Sequence, residues 1–215
     1  MKTILLFLSL AIFLPLSAFA TSNTDAPNNQ LLRDVLDTYG NPLNKSSRHF
    51  IIPANYLMNS GGIRLANLGD QQQNTCPTSV VQSNNSGDDG IGVYFTHKDP
   101  KHQKIVVSSS VNINFYLDNY LYSNLTVWKV DSPLILLAHV FTISTGAKLG
   151  NPLDVTSWFQ IKPYRNLYYK LVFCPDVTCH NIGTIKQSGY DRLVLSEMPM
   201  LFQFKLDDRI GKAEA

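Results

Sequence analysis

From Val35 onward, short runs of β-branched, aromatic and leucine residues alternate with gaps rich in Gly, Pro, Asn and Asp. The runs fall at 50–52, 79–82, 92–95, 105–108, 111–115, 126–130, 158–161, 168–173, 192–195 and 201–204. Several repeat with period two, most clearly Val111-Asn112-Ile113-Asn114-Phe115 and, in part, Leu201-Phe202-Gln203-Phe204-Lys205. Successive strand side chains point to opposite faces, so this period marks half-buried strands. Many short strands at near-regular spacing predict an all-β barrel or sandwich. Helical signal is confined to 132–141, whose apolar run Leu134-Ile135-Leu136-Leu137-Ala138 fits a helix or a buried strand; strand is the expectation. No low-complexity linker divides the chain, so one domain over 33–206 is expected.

The two ends read differently from the middle. Residues 1–20 carry one basic residue, Lys2, then an apolar run over 4–13 and a closing Ala18-Phe19-Ala20. That is the pattern of a cleaved signal peptide, and the run is too short to span a bilayer. Residues 21–32 form a polar lead-in with Pro27, and 207–215 a polar tail; both are expected to be flexible. No later run is long enough for a membrane helix, so the mature chain is expected to be secreted, to the extracellular space or apoplast or into the vacuole. Cleavage after Ala20 removes Lys2 alone, taking the formal net charge from +2 to +1. Charged residues are 16% of the chain and form no basic block, which excludes nucleic-acid binding by phosphate neutralisation.

Export bears on the three cysteines, Cys76, Cys174 and Cys179. In an oxidising compartment cysteines tend to pair. Cys174 and Cys179 flank Pro175, lie five apart and sit beside strand-like runs, so they are the expected pair. Closing so short a loop stabilises by about 2 kcal/mol. Cys76 is then the odd thiol, either buried and free or linked to another molecule. Asn44-Lys45-Ser46, Asn84-Asn85-Ser86 and Asn124-Leu125-Thr126 are acceptor sequons, making Asn44, Asn84 and Asn124 candidate glycosylation sites.

Catalytic signatures do not occur: there is no H-E-x-x-H, P-loop, C-x-x-C or G-x-S-x-G. Gly87-Asp88-Asp89-Gly90-Ile91-Gly92 reads as a turn entering a strand. Cys179 and His180 are neighbours on a strand, whose side chains point apart. His97, Asp99 and His102 share one polar segment and could hold a metal, but read better as a solvated loop. Neither an enzyme nor a cofactor or metal site is expected.

A series of segments, in order, resembles the plant Kunitz protease inhibitor family, of which soybean trypsin inhibitor is typical. They begin with Val35-Leu36-Asp37-Thr38-Tyr39-Gly40-Asn41-Pro42-Leu43 and His49-Phe50-Ile51-Ile52-Pro53-Ala54, although the family usually has Tyr where His49 stands. Gly61-Gly62-Ile63-Arg64-Leu65-Ala66, Cys76-Pro77, Val80-Val81-Gln82-Ser83 and Gly90-Ile91-Gly92-Val93 follow. Then come Val111 to Phe115, Thr126-Val127-Trp128-Lys129-Val130 and Trp158-Phe159. Tyr169-Lys170-Leu171-Val172-Phe173-Cys174-Pro175, Cys179, Ile182-Gly183 and Asp191-Arg192-Leu193-Val194-Leu195-Ser196 complete it. The resemblance implies a β-trefoil: twelve strands, a six-stranded barrel and a cap of three hairpins. It also implies an exposed inhibitory loop that meets a protease as a substrate would. Here that loop is Thr96, His97, Lys98, Asp99, Pro100, Lys101, His102, Gln103 and Lys104, with Lys101-His102 as the reactive bond and Lys98 as the alternative contact residue.

A lysine at that position suits a trypsin-like serine endopeptidase. The implied protein is a monomeric inhibitor, and a non-inhibitory storage, defence or ligand-binding protein of the same fold is the second reading. Two departures from the family stand out. The usual partner of Cys76 is replaced near Tyr122. The asparagine that braces the loop from inside aligns with Lys45, one residue after Asn44.

Overall fold

In a computed structural model of the chain, twelve strands account for nearly all the regular structure of the described residues. The structure describes residues 33–54, 60–68, 76–118, 125–131 and 140–209. The expected signal segment 1–20 and lead-in 21–32, with Tyr122, Asn124, residues 132–139 of the apolar run and residues 210–215, lie outside the described residues. Among the described residues no helix is long and apolar enough to cross a membrane.

The strands are β1 (His49–Pro53), β2 (Ile63–Ala66), β3 (Ser79–Gln82), β4 (Val93–His97), β5 (Ser110–Phe115) and β6 (Val127–Val130). After these come β7 (Ile143–Ala147), β8 (Phe159–Arg165), β9 (Tyr168–Phe173), β10 (His180–Gln187), β11 (Tyr190–Ser196) and β12 (Leu201–Leu206). All pairings are antiparallel, and they close on themselves. β1 pairs with β4, β4 with β5, β5 with β8, β8 with β9, β9 with β12, and β12 returns to β1. Those six strands are the barrel. The other six form the hairpins β2–β3, β6–β7 and β10–β11. β3 touches both β7 and β11, and the Thr142–Val194 bridge joins the remaining pair of hairpins, so they make a three-membered cap. Each successive set of four strands contributes two to the wall and one hairpin to the cap. This is a β-trefoil, and ring closure leaves no open barrel edge for another chain to pair with.

Alternation along the strands explains why the ring closes around an apolar interior. Ile51, Phe95, Ile113, Phe115, Phe159, Leu171, Phe202 and Phe204 are all buried, with Trp128 under the cap. Phe204 lies edge-on to Phe95 and tilted against Tyr169, with both centroid separations 5.4 Å. Phe115, Trp128, Phe159 and Phe173 form a second aromatic chain. Each such pair adds about 0.5–1.5 kcal/mol beyond the burial of its area. Tyr169 also accepts a hydrogen bond on its hydroxyl from the Leu36 N–H at 2.9 Å, tying the entering segment to the wall.

One run departs from the sequence pattern. Residues 105–108 do not form a strand; Lys104 and Val106 make only single bridges, to Asn44 and Asp34. Ser108 takes a left-handed conformation (φ 60°), and the Ser109 hydroxyl donates to the Val106 carbonyl at 2.6 Å, so the chain turns before β5 begins. Cys174 and Cys179 are joined in a disulfide between β9 and β10, with Cα atoms 4.2 Å apart. Cys76 is a half-buried free thiol.

The two ends of the trefoil are locked by charge. Arg48 Nε, just before β1, lies 2.7 Å from Asp207 Oδ2, just after β12, at an angle that makes it an ion pair rather than a hydrogen bond. Both side chains are buried, and Asp207 also accepts from the more exposed Arg209 at 2.8 and 2.9 Å. The Arg48 stem fills the space beside Gly92, where a Cβ would come within 2.8 Å of it. Burial pushes the Asp207 carboxyl up, but hydrogen bonds from Arg209 and the charge of Arg48 outweigh it and hold the group below its usual range. Asp207 therefore stabilises the fold in full above pH 3.8, and that contribution is lost as pH falls through the lower folded value. Asp207→Asn strands the buried Arg48 charge and is expected to destabilise the protein by about 3–5 kcal/mol, measured by urea unfolding at neutral pH.

Candidate functional site

The segment between β4 and β5 is held at both ends by backbone bonds. On its first leg, Lys98 N–H donates to the Ser110 carbonyl at 2.8 Å, continuing the β4–β5 ladder. On its second leg, Lys45 N–H donates to Gln103 O, and Ile105 N–H to Leu43 O, both at 2.9 Å. Val35 N–H donates in turn to Ile105 O. The opening segment thus lies as a pad along the loop's returning leg. Six residues, 98–103, span between the two supports.

Within that span the side chains build a tight turn. His102 N–H donates to Asp99 O at 3.2 Å, which places Pro100 and Lys101 at the two central positions. Proline presets the first of these. Asp99 Oδ1 accepts from Lys101 N–H at 3.0 Å, and Asp99 N–H donates to His97 Nδ1 at 2.9 Å. The His97 and His102 rings lie against each other with centroids 4.4 Å apart. Lys98, Asp99, Pro100 and Lys101 are exposed. Lys98 is drawn back over the Trp158 ring, its Nζ 5.4 Å from the centroid, whereas no ion pair among the described residues engages the Lys101 ammonium. The turn therefore presents Lys101 as the free cation at its apex.

The His97 proton belongs to this geometry. Burial, together with the charge of the neighbouring His102, pulls its pKa below the ordinary 6.5. The same Nδ1 also lies 3.1 Å from the Asp99 carbonyl, so the ring's tautomer decides which of the two backbone groups it bonds. Among the described residues no group of His, Cys, Asp and Glu side chains converges to hold a metal ion, and His102 Nε2 stands 3.8 Å from Asp99 Oδ2.

The expected side-chain brace is absent from its place. Lys45 is exposed, and Asn44 Oδ1 accepts from Ser46 N–H at 3.0 Å and Ser46 Oγ at 2.7 Å instead of reaching the loop. The pad's main chain, with the His97–Asp99–His102 cluster, does the bracing. At the position where the resemblance calls for Tyr, His49 is fully buried, and burial holds its pKa down. Of the other sequons, Asn84 is exposed and donates to Gly189 O at 2.6 Å.

Sequence reasoning missed a second bracing residue. Period two assigns Asn112 to the outer face of β5, yet it is fully buried. It sits directly across from Thr96, at the root of the loop. Its Nδ2 donates to Ser157 O at 2.8 Å and Ser157 Oγ at 3.2 Å, and its Oδ1 accepts from Gly150 N–H at 2.7 Å. Asn112 thereby fastens the whole β7–β8 connection, 148–158, against the loop root. That connection carries a 3-10 turn, Val155–Ser157, capped by Asp154. Trp158 ends the turn instead of starting β8, and its Nε1 donates to Asn151 O at 3.1 Å. The only clue in the sequence was a polar residue inside an otherwise buried strand.

The family model described as "Trypsin and protease inhibitor" matches residues 35–206, and the chain belongs to this legume-type Kunitz family. Kunitz trypsin inhibitor 5 of Arabidopsis thaliana is 32% identical over 204 residues, covering 91% of this chain and 96% of the relative. A Kunitz-type cysteine protease inhibitor from potato superposes with a TM-score of 0.69 at 28% identity, over 83% of this chain and 99% of that one. Soybean trypsin inhibitor in complex with porcine pancreatic trypsin superposes with a TM-score of 0.67 at 30% identity, over 81% and 99%.

Two measurements check the site. Asn112→Leu leaves Gly150 N–H and the Ser157 groups unpaired, and is expected to destabilise by about 1–3 kcal/mol in urea unfolding. Second, because the folded pKa of His97 is the lower one, the unfolded chain binds its proton first. The stabilising contribution of the neutral ring is complete above pH 6.5 and declines as pH falls towards the folded value. Amide exchange at Asp99, corrected for its intrinsic pH dependence, is therefore expected to accelerate through that window, and His97→Phe is expected to remove the effect.

Proposed function

We propose that the mature chain, released after Ala20, is a secreted inhibitor of trypsin-like serine endopeptidases. In this reading it acts as a monomer whose trefoil domain, 33–206, presents residues 96–104 to the enzyme. The observation that carries the reading is the apex lysine. Lys101 is exposed on a turn pinned by both legs and by Asp99, while the other candidate, Lys98, is docked on Trp158. A loop already held in shape avoids much of the ordering cost of association, which is how a modest interface binds tightly. The ammonium of Lys101 then meets the buried carboxylate of a trypsin-like specificity pocket, and the Lys101-His102 bond lies at the reacting centre. Membership of a family whose relatives inhibit trypsin or cysteine proteases supports inhibition as the activity. The choice of a serine endopeptidase rests on the lysine. Asn44, Asn84 and Asn124 are the proposed glycan acceptors, and a glycan on Asn84 has to displace its amide from Gly189 O.

The test is trypsin inhibition by the parent, Lys101→Ala and Lys98→Ala. Lys101→Ala is expected to weaken binding by about 2–5 kcal/mol, the loss from leaving a buried charged partner unmet. Lys98→Ala is expected to act weakly. A reversed order moves the contact to Lys98. A parent that inhibits neither trypsin, chymotrypsin, subtilisin nor papain at micromolar levels refutes the inhibitory reading and favours the storage, defence or ligand-binding alternative.

A further inference from the structure

The β7–β8 connection carries exposed apolar side chains that the lysine contact leaves unused. On the β7–β8 connection, Leu149, Leu153 and Val155 project into solvent, with Leu153 87% exposed. Exposed apolar side chains gathered on one short segment are a feature of contact surfaces. The connection is not a loose loop. Asn151 N–H donates to Lys148 O and Asp154 N–H to Asn151 O. Asp154 caps the following turn, accepting from Thr156 N–H at 3.1 Å and Thr156 Oγ1 at 2.6 Å. From beneath, Asn112 holds Gly150 and Ser157.

The same two residues that hold this arm also join it to the turn. Asn112 pairs across the sheet with Thr96, and Trp158 carries the Lys98 ammonium on its face. Turn and arm therefore share one rigid root, with basic side chains on the turn and exposed apolar ones on the arm.

We infer that the 148–158 arm is a second contact surface for the same protease, with Leu153 and Val155 packing on an apolar strip beside the enzyme's specificity pocket. This rests on the inhibitory reading of residues 96–104 and adds to it a determinant of which trypsin-like enzyme is held. The lysine supplies the charge that any trypsin-like pocket accepts. The arm discriminates between enzymes that share that pocket, according to whether the surface next to it is apolar or charged. Residues that exclude water around a central anchor act chiefly on the rate of dissociation.

Leu153→Asp and Val155→Ser test it, since both side chains are exposed and neither change disturbs the core. With unchanged thermal unfolding, each is expected to raise the inhibition constant for trypsin about tenfold or more, mainly through faster dissociation. A photo-crosslinking phenylalanine at position 153 is expected to capture trypsin, and the capture to disappear on adding Lys101→Ala. Variants that inhibit within about twofold of a tight-binding parent, with no crosslink, overturn this inference and leave the inhibitory reading standing. A parent that does not bind trypsin overturns both.

Discussion

Asn112 occupies a position that alternation gives to solvent, and its carboxamide is instead enclosed in protein. A buried amide without partners costs several kilocalories per mole, so the groups around it must be arranged to meet it. They come from one stretch of chain: the Gly150 N–H, the Ser157 carbonyl and the Ser157 hydroxyl. The β7–β8 connection therefore takes its course from a side chain on β5. Because Asn112 faces Thr96 across the sheet, that course is referenced to the root of the 96–104 loop. The closed ring of six strands supplies the fixed frame. Without closure, β5 would have no defined position relative to β8, and the carboxamide would have nothing stable to bridge.

The turn itself is held more by backbone than by side chains. The opening segment lies along its returning leg through bonds from Lys45 and to Leu43, and the Arg48–Asp207 pair holds that segment's far end beside the last strand. Replacing an inward-reaching asparagine by Lys45 thus removes one support from a loop that has several. Inside the span, the stacked histidines and Asp99 form a local cluster with its own acid sensitivity, separate from the deeper, lower-pH dependence set by Asp207. The two groups lie in different parts of the molecule: one in the 98–103 turn, the other at the joint between the two ends of the trefoil.

The strands of the barrel wall were legible because each buries one face, and Val111 to Phe115 or Leu201 to Phe204 announce that with period two. The cap was harder to read. In β7, Ile-Ser-Thr-Gly-Ala carries buried polar groups, made tolerable by a hydrogen bond from the Ser144 hydroxyl to Asp131 that no local pattern reveals. Residues 105–108 look like a strand in composition, and only the left-handed Ser108 turns them into a bridge and a bend. For the loop, polarity and Pro100 marked its place, and the family resemblance gave its role. Neither disclosed the contact of His97 with His102, the backbone pad, or the docking of Lys98 on Trp158, since each joins residues through the fold rather than through spacing. The arm's contribution was illegible for the same reason: Leu149, Leu153 and Val155 read as ordinary apolar residues until the structure leaves them uncovered.

Turn and arm, on their shared root, are proposed to meet a single enzyme together. A crystal structure of the mature chain bound to trypsin tests this most directly. Lys101 is expected in the specificity pocket, with the 96–104 backbone little moved from its free form and Leu153 packed against the enzyme beside the cleft. A complex in which trypsin sits on another face of the trefoil, or in which residues 96–104 rearrange to bind while the arm stays in solvent, would contradict it.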